Sequence, residues 1–323
     1  MHMKLPASAR GERRNQGPTA IQQHFLDLHG QRMAYLEAGQ GPPLVLIHGI
    51  AEAAWVWESI IPALARAHRV VAPDLLGHGH SSKPRGDYSL GNQATLIRDL
   101  MISLDMDRAT LIGHSLGGGI TMQFAYQYPE RCQRMVLIDS GGLGQDVTFM
   151  LRSLGLPGAD LVAPLVLSGT VKNLIQGAIG WLGRRGLKAG LGHRALWRSY
   201  AGLTEPATRA AFIATVRAVI DQRGQRVSAL ERLYLARAMP TMLLWGEKDR
   251  IIPVSHALTA HREMPGSRLE IVTGAGHFVQ METPDRVAEL ILDFLATTRP
   301  ARITANDMRD VMRAGRTQRR EAS

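Results

Sequence analysis

The feature that most constrains the fold is the stretch 110–119, Thr-Leu-Ile-Gly-His-Ser-Leu-Gly-Gly-Gly. An apolar β-type run over 109–112 stops at Gly113-His114-Ser115-Leu116-Gly117, and apolar residues then recur at Leu116, Ile120, Phe124 and Tyr128, a helical spacing. A serine held between a strand and a helix must adopt a strained backbone to point its hydroxyl outward. Small residues two positions to either side let neighbouring segments approach it. The pattern is that of a nucleophile elbow, with Ser115 as the candidate nucleophile. A nucleotide-binding loop is disfavoured, because the Gly-x-Gly-x-x-Gly order and the Gly-Lys-Ser/Thr ending are both missing.

Strand-like and helix-like segments alternate from about residue 23, as in a doubly wound α/β sheet. Segments 25–28 and 32–37, joined at His29-Gly30-Gln31, read as an opening hairpin. Segments 43–48, 69–74, 109–113 and 135–139 read as strands buried on both faces, and 57–67, 90–104 and 115–128 as helices between them. After Asp139 the alternation breaks through a Gly-rich, apolar region with helix-like stretches at 206–221 and 228–236. Strand character returns at 240–245 and 268–273, and 284–297 reads as a closing amphipathic helix. The expected organisation is a basic N-terminal extension (1–20), an α/β core in two pieces (21–141 and 239–297), an inserted helical cap (142–238) and a basic C-terminal tail (298–323).

Charge decides little about partners until it is placed along the chain. The net charge is +10, of which residues 1–19 supply +3 and residues 299–323 supply +4, so everything between them sums to +3. The tails therefore read as solvated extensions, with 303–314 a short helix, and no zinc-type Cys/His spacing or recognition motif supports a nucleic-acid partner. No segment matches a signal-peptide core, and the apolar stretch 151–181 is interrupted by Arg152, Asp160 and Lys172, which disfavours a membrane-spanning helix. With Cys132 as the single cysteine, no intrachain disulfide can form, and a cytoplasmic location is expected.

A serine hydroxyl needs a base within reach and a third group to orient that base. After the cap, Leu243-Leu244-Trp245-Gly246-Glu247-Lys248-Asp249 places an acid just past a strand, and Gly274-Ala275-Gly276-His277-Phe278 does the same with a histidine. In an open parallel sheet the carboxyl ends share one edge, so Ser115, Asp249 and His277 can converge there. Asp139 also ends a strand and competes for the role of the acid, and Glu247 is a weaker competitor. Among the other histidines, His48 is expected to order the loop near the site, His78, His80, His256 and His261 to sit in turns or at the surface, and His114 to point away from the nucleophile.

The order Ser115, Asp249, His277 resembles that of the α/β-hydrolase superfamily, whose triad runs nucleophile, acid, histidine. Leu46-Ile47-His48-Gly49, the run from Asp74 to Ser81, and Trp245-Gly246 with Asp249 echo the same family, and the likeness covers about 21–297. The resemblance implies an oxyanion hole built from the backbone N–H groups of Ile50 and Leu116. It also implies a serine hydrolase of the esterase or lipase type that needs no metal or organic cofactor. Serine at the elbow disfavours epoxide hydrolases and haloalkane dehalogenases of this fold, which use aspartate there. Carbon–carbon bond hydrolases of ring-fission products keep the serine but often carry asparagine where this chain has His114, and they are the second reading. A non-catalytic small-molecule binder is the third, and such a protein needs the pocket more than a complete triad.

The expected substrate is a small-molecule ester with an apolar acyl group of short to medium length. The residues expected to contact it are His48, Trp55, Leu143, Phe149 and Trp181, with Leu151, Leu154, Leu165 and Leu167 as further cap candidates. Arg184, Arg185 and Lys188 in the Gly-rich cap suggest a mobile lid with a basic outer surface and a weak attraction to anionic lipid.

Overall fold

The computed structural model describes residues 19–154, 156, 158–184, 190–304 and 306–313. Its strands are β1 (Gln22–Leu28), β2 (Gln31–Ala38), β3 (Pro43–Ile47), β4 (Arg69–Pro73), β5 (Ala109–His114), β6 (Cys132–Ile138), β7 (Ile220–Asp221), β8 (Gly224–Gln225), β9 (Thr241–Gly246) and β10 (Arg268–Val272). Eight of them form one sheet in the order β1-β2-β4-β3-β5-β6-β9-β10, and β7 and β8 pair separately. The β1–β2 and β2–β4 pairs are antiparallel, and every pair from β4 to β10 is parallel. The opening hairpin closes in register Leu28↔Gln31, so His29 and Gly30 alone make the turn. Their φ values of 54° and 76° are those of a primed turn, whose twist matches that of the strands.

Alternation along the strands feeds two separate apolar layers. Val45, Ile47, Leu111, Leu137 and Leu243 face a layer completed by Ile97 and Leu100 of the helix Leu90–Ser103 and by Ile120 and Phe124 of the helix Leu116–Gln127. Leu44, Leu46, Val70, Ile112, Val136 and Leu244 face the other, closed by Trp57, Ile61, Leu64, and by Val287, Ile291 and Phe294 of the helix Pro284–Thr297. Both faces being covered explains why these strands read as continuous apolar runs. The expected helix over 57–67 does not form as one element. Ala54–Trp57 is a 3-10 turn and Ile61–Leu64 a single α turn, because Pro62 lacks the N–H that would bond back to Glu58.

Between β6 and β9 lie the helices Phe149–Leu154, Ala159–Val166, Gly169–Arg184, Leu191–Gly202 and Pro206–Val219, then the small hairpin β7–β8. The stretch expected as a helix over 228–236 is a 3-10 segment, Leu230–Ala238. These elements have their own apolar core of Val147, Leu151, Leu167, Phe212, Val216 and Ile220, against which Ile50 and Ile251 pack from loops at the carboxyl edge of the sheet. Within the expected C-terminal tail, residues 306–313 are helical. No helix among the described residues is long and apolar enough to cross a membrane. Arg185 and Lys188, and the charged residues of the first fourteen positions, lie outside the described residues.

Candidate active site

Parallel strands bring their carboxyl ends to one edge, and each candidate residue hangs from such an end: Ser115 after β5, Asp139 after β6, Asp249 in the loop after β9 and His277 in the loop after β10. Ser115 has φ 53° and ψ −116°, a left-handed strain that a non-glycine residue tolerates only when its surroundings over-determine it. They do so through three backbone bonds. The Ser115 amide donates to the Ile138 carbonyl at 3.0 Å, and the Ser115 carbonyl accepts from Gly118 N at 3.0 Å and Gly141 N at 2.8 Å. The glycines are steric requirements: a Cβ on Gly113 would fall 2.2 Å from the Gly117 carbonyl oxygen, and one on Gly117 would fall 2.0 Å from that of Ile47.

His277 Nδ1 lies 2.7 Å from Asp249 Oδ2, with the aspartate side chain fully shielded from solvent. The other oxygen, Oδ1, accepts from Ile251 N at 2.7 Å and Ile252 N at 3.0 Å. Burial opposes the charge on Asp249, but the His277 imidazole and these amides outweigh it and hold the carboxyl below its usual range. Asp139 behaves oppositely. Burial first, and then the charge of Asp249, push its carboxyl well above the ordinary carboxylate range, although Gly246 N donates to its Oδ1 at 2.8 Å. Of the two competing acids, Asp249 is therefore the ionised one and the one bonded to His277.

A second buried charge pair stands behind this pair, and the sequence reading did not find it. Glu52 Oε2 accepts from Gly49 N at 2.8 Å and from His114 Nδ1 at 3.1 Å, while His114 Nε2 lies 2.8 Å from the His277 carbonyl oxygen. The carboxylate and the carbonyl are both acceptors, so His114 satisfies both only as an imidazolium that donates from each nitrogen. Burial pulls the His114 pKa down, but the Glu52 charge and hydrogen bond more than compensate, and the net direction is up. On Glu52, burial pulls up, and the charge and bond of His114 bring the net direction down. The available signal was a carboxylate three residues past Gly49 in a loop otherwise made of apolar residues.

Ser115, His277, Ile50, Glu52 and Phe278 line one cavity of about 570 Å³ together with Leu151, Leu154, Leu167, Tyr200 and Phe212. Ser115 and Leu116 also border a smaller apolar space of about 50 Å³, walled by Gly119, Gly141, Gly142 and Val227, which His277 does not reach. Leu116 opens the helix directly after Ser115, where the first amides have no intrahelical partner and the dipole favours an anion.

The five residues expected to contact substrate are not among those lining the large cavity. His48 is fully buried, with Nε2 accepting from Leu75 N at 2.9 Å and Nδ1 donating to the Gly49 carbonyl at 2.8 Å, so it ties two loops together. Leu143 is buried in the main core. Phe149 begins a short helix and is 78% exposed, and Trp181 lies on the outward-facing helix Gly169–Arg184. Trp55 sits under the Arg198 guanidinium, 4.3 Å from the ring centre, in a neighbouring cleft. Sequence position places Leu143, Phe149 and Trp181 in the cap, but only packing decides which cap side chains turn inward. His78 sits in a turn as expected, its amide donating to the Leu75 carbonyl at 2.9 Å, but is buried, whereas His256 is a buried residue of the helix Ser255–Glu263 rather than a turn or surface residue. The ligand-type atoms of His114, Asp139 and His277 lie within 4.8 Å of one another. Both His114 nitrogens and His277 Nδ1 are already engaged, so the trio does not fit a metal ion.

A family model described as the alpha/beta hydrolase fold matches residues 42–171. An uncharacterized protein of Mycobacterium tuberculosis is 42% identical over 311 residues, covering 94% of this chain and 89% of that one. The 2-hydroxymuconate semialdehyde hydrolase of Pseudomonas sp. strain CF600 is 28% identical over 282 residues, covering 85% of this chain and 94% of that one. Among solved structures, a membrane phospholipase A described as a bacterial virulence factor superposes with a TM-score of 0.69 at 26% identity, covering 87% of each chain.

Proposed function

Since the chain belongs to the α/β-hydrolase family, we propose that it hydrolyses uncharged carboxylic esters through an acyl-enzyme on Ser115. His277 takes the hydroxyl proton as Ser115 attacks the ester carbonyl, and Asp249 fixes the imidazole tautomer and stabilises its cation. The oxyanion rests on the amides of Ile50 and Leu116, the alcohol leaves with the proton from His277, and water activated by the same histidine releases the acid. The observation that carries the reading is the character of the large cavity. Its described lining has no lysine or arginine, and its only acidic residue is Glu52.

The muconate semialdehyde of the Pseudomonas relative carries a carboxylate, which this apolar wall beside Glu52 does not complement. The leaving-group oxygen must lie near His277, so the alcohol belongs in the large cavity and a short acyl group in the small space beyond Ser115. Labelling by a fluorophosphonate, abolished in Ser115→Ala, tests the nucleophile. A chain-length series of chromogenic esters, run beside a ring-fission dienone, tests the substrate. Acetyl to butyryl esters should give the highest kcat/KM, and faster cleavage of the dienone by orders of magnitude would replace this reading with carbon–carbon hydrolysis.

A further inference from the structure

The near-balance of the chain between its tails hides a segregation. Residues 142–238 carry thirteen Lys and Arg against five Asp and Glu, a net of +8, whereas 20–141 and 239–298 together carry fourteen against nineteen, a net of −5. The same positive region displays most of the large exposed apolar side chains. The helix Gly169–Arg184 places Val171, Leu174, Ile175, Ala178 and Ile179 on one side and Asn173, Gln176 and Arg184 on the other. None of its described residues is buried or enters the cap core, and Leu174 is 69% exposed. An amphipathic helix normally spends its apolar stripe on a core, and this one leaves it facing outward.

Exposed apolar side chains of the same cap also border the site. Met150, Leu156, Val162, Val166 and Leu196 are each exposed, and each lines the large cavity beside Ser115 and His277. We infer that the cap is a docking surface for anionic phospholipid bilayers, with the helix Gly169–Arg184 lying in the headgroup region and the cavity mouth opening toward the acyl chains. Charge complementarity favours this occupant: a second copy stacked cap against cap would set +8 against +8, whereas an anionic leaflet attracts the cap and repels the core. Apolar substrates would then enter from the bilayer rather than from water.

The test is co-sedimentation with sucrose-loaded vesicles of phosphatidylglycerol and phosphatidylcholine, against vesicles of phosphatidylcholine alone. Wild type should bind the anionic vesicles and release in about 0.5 M salt, where screening acts within a few ångströms. At about five-fold in partitioning per basic residue, Lys172→Glu with Arg184→Glu should weaken binding at least about 25-fold. Leu174→Asp with Ile179→Asp should weaken it at least about ten-fold through lost apolar insertion. Both pairs should keep wild-type melting and wild-type hydrolysis of a water-soluble ester. Ser115→Ala should bind like wild type, which separates the docking surface from the reaction proposed for the site. Absence of wild-type binding, binding of both pairs equal to that of wild type, or a dimer that the apolar pair converts to monomer would overturn the inference.

Discussion

Glu52→Gln offers the most direct measure of the pair behind His277. Glutamine keeps an oxygen for the Gly49 amide, so the loss falls on His114, which is wholly buried and donates toward two acceptors. Without the carboxylate the imidazolium gives up its proton and one of its two hydrogen bonds. Breaking a buried pair by removing one partner costs about 3 kcal/mol at the low end. With an unfolding entropy of about 2.1 cal/mol/K per residue, a fold of roughly 300 residues loses about 5 °C in Tm for that amount.

The pH dependence of this loss has a definite sign. His114 is raised in the fold, so its contribution is complete below its ordinary value of 6.5 and is lost as pH rises through the raised value. Glu52 is lowered, so its contribution is complete above its ordinary 4.5 and is lost as pH falls through the lowered value. Thermal melts of both proteins across pH should therefore differ most between about pH 5 and 6.5 and converge in alkali. A variant melting within about 1 °C of wild type near pH 6, or a gap that stays constant into alkali, would refute the ion pair.

Other substitutions separate the remaining roles. Asp249→Asn should lower kcat by about four orders of magnitude while leaving the fold intact, because the wrong imidazole tautomer is then held. Asp139→Asn should change kcat less than about three-fold, because the native carboxyl is already driven toward its neutral form; a loss equal to that of Asp249→Asn would move the acid to Asp139. Gly117→Ala should cost about 3 kcal/mol, read as a drop of about 5 °C in Tm, because its Cβ meets the Ile47 carbonyl at 2.0 Å. An unchanged Tm would show that the elbow relaxes freely.

The elbow, the succession of buried strands along the chain and the placement of Ser115, Asp249 and His277 at strand ends were legible because each rests on local chemistry. Strands buried on both faces need continuous apolar runs, and a strained turn needs glycines at fixed offsets, so both leave marks in a single chain. Pro62 left such a mark too, and reading it would have removed the helix expected over 57–67. The linkage of Glu52 through His114 to the His277 carbonyl left none, because its members stand 62 and 163 positions apart and meet only when β3, β5 and β10 are set into one sheet. The choice between Asp139 and Asp249 was likewise tertiary, since burial and mutual repulsion decide which of two strand-end carboxylates stays ionised. The cap divides in the same way. Sequence determined that residues 142–238 are apolar and strongly basic, whereas tertiary packing alone decided that Leu151, Leu154 and Phe212 turn toward Ser115 while Phe149 and Trp181 face outward. A helix's composition sets which side chains must leave water, and only its neighbours settle where they go.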